Sequence, residues 1–154
     1  KQCTPRQPAR SRRERGTRGR PEQAVMIGAC DPETGRLKEL DTRSTLPDGF
    51  SGTNSCADVH VDPRGRFVYG SNRGHDSIAV FAWDSKNRII SLIQNQPVEG
   101  KTPRNFLIHG SGRFLLSANQ NSDTITGFRL DPETGKLTFS GVSVRVGKPV
   151  CLVC

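Results

Sequence analysis

Gly65-Arg66-Phe67-Val68-Tyr69-Gly70-Ser71-Asn72-Arg73-Gly74-His75-Asp76-Ser77-Ile78-Ala79-Val80-Phe81 decides the fold, because the chain writes it twice. Moved on by 47 residues, Gly65-Arg66-Phe67 falls on Gly112-Arg113-Phe114, Asn72 on Asn119, Asp76 on Asp123, Ile78 on Ile125, Phe81 on Phe128 and Asp84 on Asp131, with no gap. A repeat of this period is read before anything else, since it sets the architecture.

Working outward, each copy divides into four short runs of strand character. The first has them at 57–62, 67–72, 77–82 and 89–94, punctuated by Pro63-Arg64-Gly65, Gly74-His75-Asp76 and Ser85-Lys86-Asn87. The second has them at 105–109, 114–119, 124–130 and 136–140, with turns at Gly110-Ser111-Gly112, Asn121-Ser122-Asp123 and Asp131-Pro132-Glu133-Thr134-Gly135. Four strands in a unit of about 40–50 residues is the signature of a propeller blade. A further turn, Asp31-Pro32-Glu33-Thr34-Gly35-Arg36-Leu37, nearly duplicates Asp131–Leu137 and closes an earlier blade.

The expected fold is all-β, a β-propeller fragment of about two complete four-stranded blades plus partial flanking blades. A basic, unstructured arm covers 1–23. The partial propeller covers 24–154, with a blade end at 24–50, blades at 56–100 and 103–148, and the first strand of another blade at 149–154. Propellers close with about four to eight blades, so the chain is expected to be part of a longer protein and inactive by itself.

Composition agrees with strands and turns: 32% hydrophobic, 6% aromatic, 16 Gly and 10 Pro in 154 residues. The formal charge of +8 invites a nucleic-acid reading until it is located. Residues 1–20 hold eight basic residues and one acid, whereas the rest holds 15 basic and 14 acidic residues. The charge therefore belongs to the arm, which reads as a transit-like or nucleic-acid-binding segment, an unstructured tail, or misassigned coding sequence. No run approaches the ~18–20 apolar residues of a membrane span. Cys3, Cys30, Cys56, Cys151 and Cys154 are odd in number and irregularly spaced, so no disulfide framework is implied and a cytoplasmic setting is expected. Cys151-Leu-Val-Cys154 lies in a strand-like run where residues three apart face opposite ways, against a shared metal.

The stretch Cys56–Phe81 resembles the lactonase family of seven-bladed propellers, which includes six-phosphogluconolactonases and carboxymuconate cyclases. Lys101-Thr-Pro-Arg-Asn-Phe106 followed by Ser111–Gln120 is similar to the next segment of that family, and Leu46-Pro-Asp-Gly-Phe50 to the connection before them. The resemblance covers about residues 31–154. Where the family has an Asn-Glu pair before a strand of the preceding blade, this chain has Arg20-Pro-Glu-Gln23 out of register, so that glutamate is not carried over to Glu22.

The resemblance implies hydrolysis of a sugar-phosphate lactone to its acid. A muconate-type lactonizing isomerase or a non-catalytic interaction platform are the alternatives. In a propeller the loops after the second and fourth strands share one face, which brings Gly74-His75-Asp76 and Lys101–Arg104 together. An anionic lactone needs a fixed cation and a donor for the oxyanion, roles suited to Arg73 and Arg104. A histidine suits proton transfer from water near neutral pH, and His75 is the expected base. The expected catalytic residues are His75 and Arg73, with Arg104, Asn105 and His60 binding substrate. His60 alternates onto the side of Asp58 and Asp62, and it could equally be a hydrogen-bonded core residue. Asn72, Asn119, Asp76 and Asp123 recur in both copies and read as scaffold. No metal or cofactor is expected. The expected partner is a small anionic lactone, with no membrane and nucleic acid only through the arm.

Overall fold

A computed structural model of the protein describes residues 23–153. The arm expected over 1–23, apart from Gln23, lies outside the described residues, as do Glu22, Cys3 and Cys154. Among the described residues ten antiparallel strands form three sheets in chain order. The first sheet pairs β1 (Ala24–Cys30) with β2 (Leu37–Ser44). The second has the order β3 (Ser55–Val61), β4 (Phe67–Arg73), β5 (Ser77–Asp84), β6 (Ile89–Pro97). The third repeats that order with β7 (Pro103–Ile108), β8 (Phe114–Asn119), β9 (Thr124–Leu130) and β10 (Leu137–Arg145).

The period-2 alternation of strand side chains explains how the sheets stack. In the middle sheet Phe67, Tyr69, Ile78 and Val80 point one way, into a cluster with Phe106, Leu115, Phe128, Leu130 and Leu137 of the third. Val68, Ala79 and Phe81 point the other way and meet Val25 of the first sheet. The middle sheet is therefore covered on both faces, while β8 alternates buried and exposed positions. Phe114 remains 48% exposed although its repeat counterpart Phe67 is 8% exposed, because a third sheet covers only the latter.

Turn chemistry fixes the hairpins. Asp31 and Asp131 each accept the backbone N–H groups two and three residues on, at 2.9 and 3.1 Å and at 2.8 and 3.4 Å, an Asx turn closed by glycines with φ of 69° and 72°. Asp84 caps the turn at 85–88 in the same way. These bonds hold the carboxyls of Asp31, Asp84 and Asp131 below the usual carboxylate range. Asp62, grouped with His60 by alternation, lies beyond the end of β3 and accepts from the backbone of Arg64, Arg66 and Phe67.

The expected strand over 149–154 is not formed in its described part, 149–153, and no unpaired strand among the described residues lies beside it to complete a ladder. The segment is still tied to its neighbour: Leu152 N–H donates to Asn105 Oδ1 at 2.7 Å. One repeat earlier, with the donor one residue further on, Phe106 N–H donates to Asp58 Oδ2 at 3.2 Å. The same stitch thus runs from each innermost segment to the next.

Candidate active site

Two inner strands carry matching bulges. One extra residue enters β3 between Cys56 and Val59, and another enters β7 between Pro103 and Asn105. A bulge re-aims side chains beside it, and here it sets Asp58 and its repeat counterpart Asn105 against each other. Asp58 Oδ2 accepts from Asn105 Nδ2 at 2.6 Å, from Phe106 N–H at 3.2 Å and faces His60 Nε2 at 3.1 Å. The His60 ring meets Phe106 edge-on at 4.8 Å between centroids. A carboxylate only accepts, so His60 carries its hydrogen on Nε2 and leaves Nδ1 unprotonated in its neutral form.

Arg73 and Arg104 lie at one rim. Arg73 ends β4 opposite Ser55, the first residue of β3. The turn after it is held to the segment before Arg104 by Asp76, which accepts Val98 N–H through its carbonyl at 3.0 Å and Thr102 N–H through Oδ1 at 2.8 Å. Asp123 repeats this clamp on Val146 and Lys148 at 2.9 Å each. Both aspartates have positive φ, 53° and 55°, which Asp tolerates better than most residues.

The two guanidiniums are weakly engaged. Arg73 Nη2 donates to the Cys56 carbonyl at 3.2 Å, and its Nε is buried without a partner. Arg104 is exposed, and its Nη1 is 3.5 Å from Gln120 Oε1. Among the described residues neither has a carboxylate within ion-pair distance.

His75, half-buried between these arginines in sequence, sits on a buried polar network. Asn72 Oδ1 accepts from Thr45 Oγ1 at 2.7 Å and Asn54 Nδ2 at 3.1 Å, so Asn72 Nδ2 is the atom facing Ser77 Oγ at 3.3 Å. The fully buried Ser77 hydroxyl then has one acceptor among the described residues for its own proton, His75 Nδ1 at 2.7 Å. This polarity assigns neutral His75 the tautomer with hydrogen on Nε2. Asn54 Oδ1 also accepts the His75 backbone N–H at 3.1 Å, and Phe50 packs edge-on to the ring at 5.0 Å.

The geometry thus joins Asn105 and His60 through Asp58, and sets Arg73, His75 and Arg104 on a common rim. Sequence reasoning named Asp58 only as a neighbour of His60. Its signal was present, since Asp58 falls on Asn105 at the repeat offset. Ser77 and Asn54, which orient His75, had no comparable signal. Asn72 and Asn119 are buried: Asn72 holds the preceding sheet through Thr45 O at 2.9 Å, and Asn119 reaches Val98 O at 3.3 Å. His109 is exposed and closes its own turn with Ser111. Cys30, Cys56 and Cys151 are exposed free thiols. Among the described residues no group of three or more His, Cys, Asp or Glu could hold a metal ion.

The chain is 36% identical over 122 residues to a 6-phosphogluconolactonase of Bacillus subtilis, covering 79% of this chain and 35% of that protein. It is 52% identical over 83 residues to a 6-phosphogluconolactonase of Formosa agariphila, covering 53% and 24% respectively. The structure superposes on a periplasmic gluconolactonase of Pseudomonas aeruginosa with a TM-score of 0.77 and 37% identity, covering 83% of this chain and 35% of that one. The chain therefore spans about a third or less of the length of these relatives. The family described as "Lactonase, 7-bladed beta-propeller" matches residues 22–154, and this chain belongs to it.

Proposed function

We propose that these blades form part of an enzyme that hydrolyses a lactone bearing an anionic group, such as a phosphorylated sugar lactone, to the corresponding acid. The observation that carries the reading is the pair of guanidiniums, Arg73 and Arg104, held at one rim without carboxylate partners among the described residues. Such a pair lacks counter-anions: a phosphate or carboxylate on the substrate would supply one to Arg104 by bidentate hydrogen bonding, and the oxyanion formed as water adds would supply one to Arg73.

In this reading Arg104 and Asn105 hold substrate, while Arg73 stabilises the oxyanion that develops as water adds to the carbonyl. His75 is catalytic as well, with a role altered by its Ser77 contact: its neutral form offers Nε2–H to the oxyanion or the departing alkoxide. His60, with Nε2–H directed at Asp58, has Nδ1 free to take the proton from water. Exposed thiols among the described residues support a cytoplasmic setting, although the Pseudomonas relative is named as periplasmic.

The test is steady-state lactone hydrolysis by a complete ring carrying these residues. Arg73→Ala is expected to lower kcat/KM by about 10²–10³-fold, the usual effect of losing an oxyanion donor. His60→Gln and His75→Gln are each expected to lower kcat. Unchanged rates in both Arg73→Ala and His75→Ala would remove the site.

A further inference from the structure

A reactive pair stands in the loop between β2 and β3. Pro47-Asp48-Gly49-Phe50 forms a four-residue turn in which Phe50 N–H donates to the Pro47 carbonyl at 3.3 Å. Gly49, with φ of 82°, takes the third position, which a type II turn reserves for glycine. Both central residues are exposed, and nothing lies within 4 Å of a Cβ built on Gly49. Asp48 borders a groove with Arg43 and Ser44 of β2 and Ile90, Ser91 and Leu92 of β6. These are the outermost strands of two adjoining sheets, so water reaches the turn from the circumference and not across an uncovered blade face.

Asp48 differs from every other described aspartate. Asp31, Asp62 and Asp131 precede proline, whose nitrogen carries no hydrogen. Asp41, Asp58, Asp76, Asp84 and Asp123 each have a carboxylate oxygen held by a backbone N–H at 2.8–3.0 Å. Among the described residues the Asp48 carboxylate accepts no hydrogen bond and the Gly49 N–H donates none. Asp48 alone of these aspartates precedes glycine, which leaves no side chain to block the approach of the next nitrogen to Cγ.

We propose that Asp48-Gly49 is a site of spontaneous backbone modification, closing to a succinimide that reopens as isoaspartate. The Gly49 nitrogen attacks Cγ of the carboxylic acid form of Asp48. A C–N bond forms, the C–OH bond breaks, and the hydroxyl leaves with the amide hydrogen as water. Nucleophile and electrophile sit on adjacent residues, so the closure is intramolecular. One water then adds to either carbonyl of the five-membered imide. Opening at the side-chain carbonyl restores aspartate; opening at the main-chain carbonyl leaves a backbone that runs through Cβ, one atom longer, with a free α-carboxylate. One water leaves and one returns, with no oxidation or reduction. The extra atom falls inside the turn that ends at Phe50, whose ring packs edge-on to His75 at 5.0 Å and closely over Gly52, where a Cβ would come within 2.7 Å of it. Lengthening the turn therefore displaces the aromatic wall beside His75.

The 154-residue chain would be held near neutral pH in water enriched in heavy oxygen, its fold followed by circular dichroism, and its peptides mapped by electron-transfer mass spectrometry. Each passage through the imide leaves one heavy oxygen at residue 48. Label and isoaspartate are expected at Asp48 while Asp76, Asp84 and Asp123 stay unlabelled. Asp48→Glu, which needs a six-membered ring to react, should lose the label, and Asp48→Asn should reach isoaspartate sooner, releasing ammonia in place of water. The isoaspartyl fraction should show shifted His75 ring resonances beside unchanged His109 resonances. No label at Asp48 in the folded chain, or label spread evenly over the aspartates, would overturn the site; identical His75 resonances in the two fractions would overturn its reach to the histidine.

Discussion

Removing the Asp58 carboxylate should unfasten two blades at once. Oδ2 serves Asn105 Nδ2 at 2.6 Å, Phe106 N–H at 3.2 Å and His60 Nε2 at 3.1 Å, while Oδ1 accepts the Val59 N–H at 2.9 Å. Phe106 is fully buried, so its N–H has no ready replacement from solvent. An unsatisfied buried donor costs about 1–3 kcal/mol, and a hydrogen bond to a charged group contributes about 1.5–3. The side chain of Asp58 is 25% exposed, which lets water take over part of the loss. Asp58→Ala is therefore expected to destabilise the chain by about 2–4 kcal/mol, and Asn105→Ala made in that background should cost at least about 1 kcal/mol less than in the wild type. Urea unfolding at fixed protein concentration, read by tryptophan fluorescence and circular dichroism together, gives all four corners of the cycle. Additive effects, or a loss below about 0.5 kcal/mol for Asp58→Ala, would refute the view that this carboxylate joins the inner strands.

Asn72→Ala should lower stability by about 2–4 kcal/mol, because it strips partners from the buried Thr45 and Asn54 side chains, and a thermal melt several degrees lower would register it. Gly135→Ala should cost more than Gly35→Ala, since both require positive φ but only the first drives a methyl into the Phe67 ring; the excess is expected at about 1–3 kcal/mol in denaturant melts, and equal costs would contradict the packing described. Asp31, Asp84 and Asp131 have carboxyls held below their ordinary value of 3.8, so their contribution is complete above that pH and is lost as pH falls through the lowered values. An Asp84→Asn, Asp131→Asn variant should accordingly lose less stability than wild type between about pH 5 and 2, as followed by urea midpoints.

Fold and site were not equally legible in the sequence. Expected runs at 114–119 and 124–130 coincide with β8 and β9, because turn residues bound them on both sides and the repeat fixes their phase. Strands β6 and β10 extend past their expected ends, to Pro97 and Arg145, through residues whose apolar pattern is weak and whose pairing is dictated by β5 and β9. At the site, Arg73 and Arg104 could be placed on one rim from loop order alone. The proton on His75 could not, since it depends on Ser77 and Asn72 and on the donors that occupy Asn72 Oδ1. Asp58 was marked only by its place at the repeat offset from Asn105: its partners lie 47 and 48 residues away, and a bulge with no local sequence mark brings them into reach.

The stitch from Asp58 to Phe106, and from Asn105 to Leu152, has a direction. Its acceptor always belongs to the earlier segment and its donor to the later one. A polypeptide leaving the ribosome N-terminus first would thus present each anchor before the strand that must catch it, so assembly can proceed vectorially without waiting for the last residue to be made.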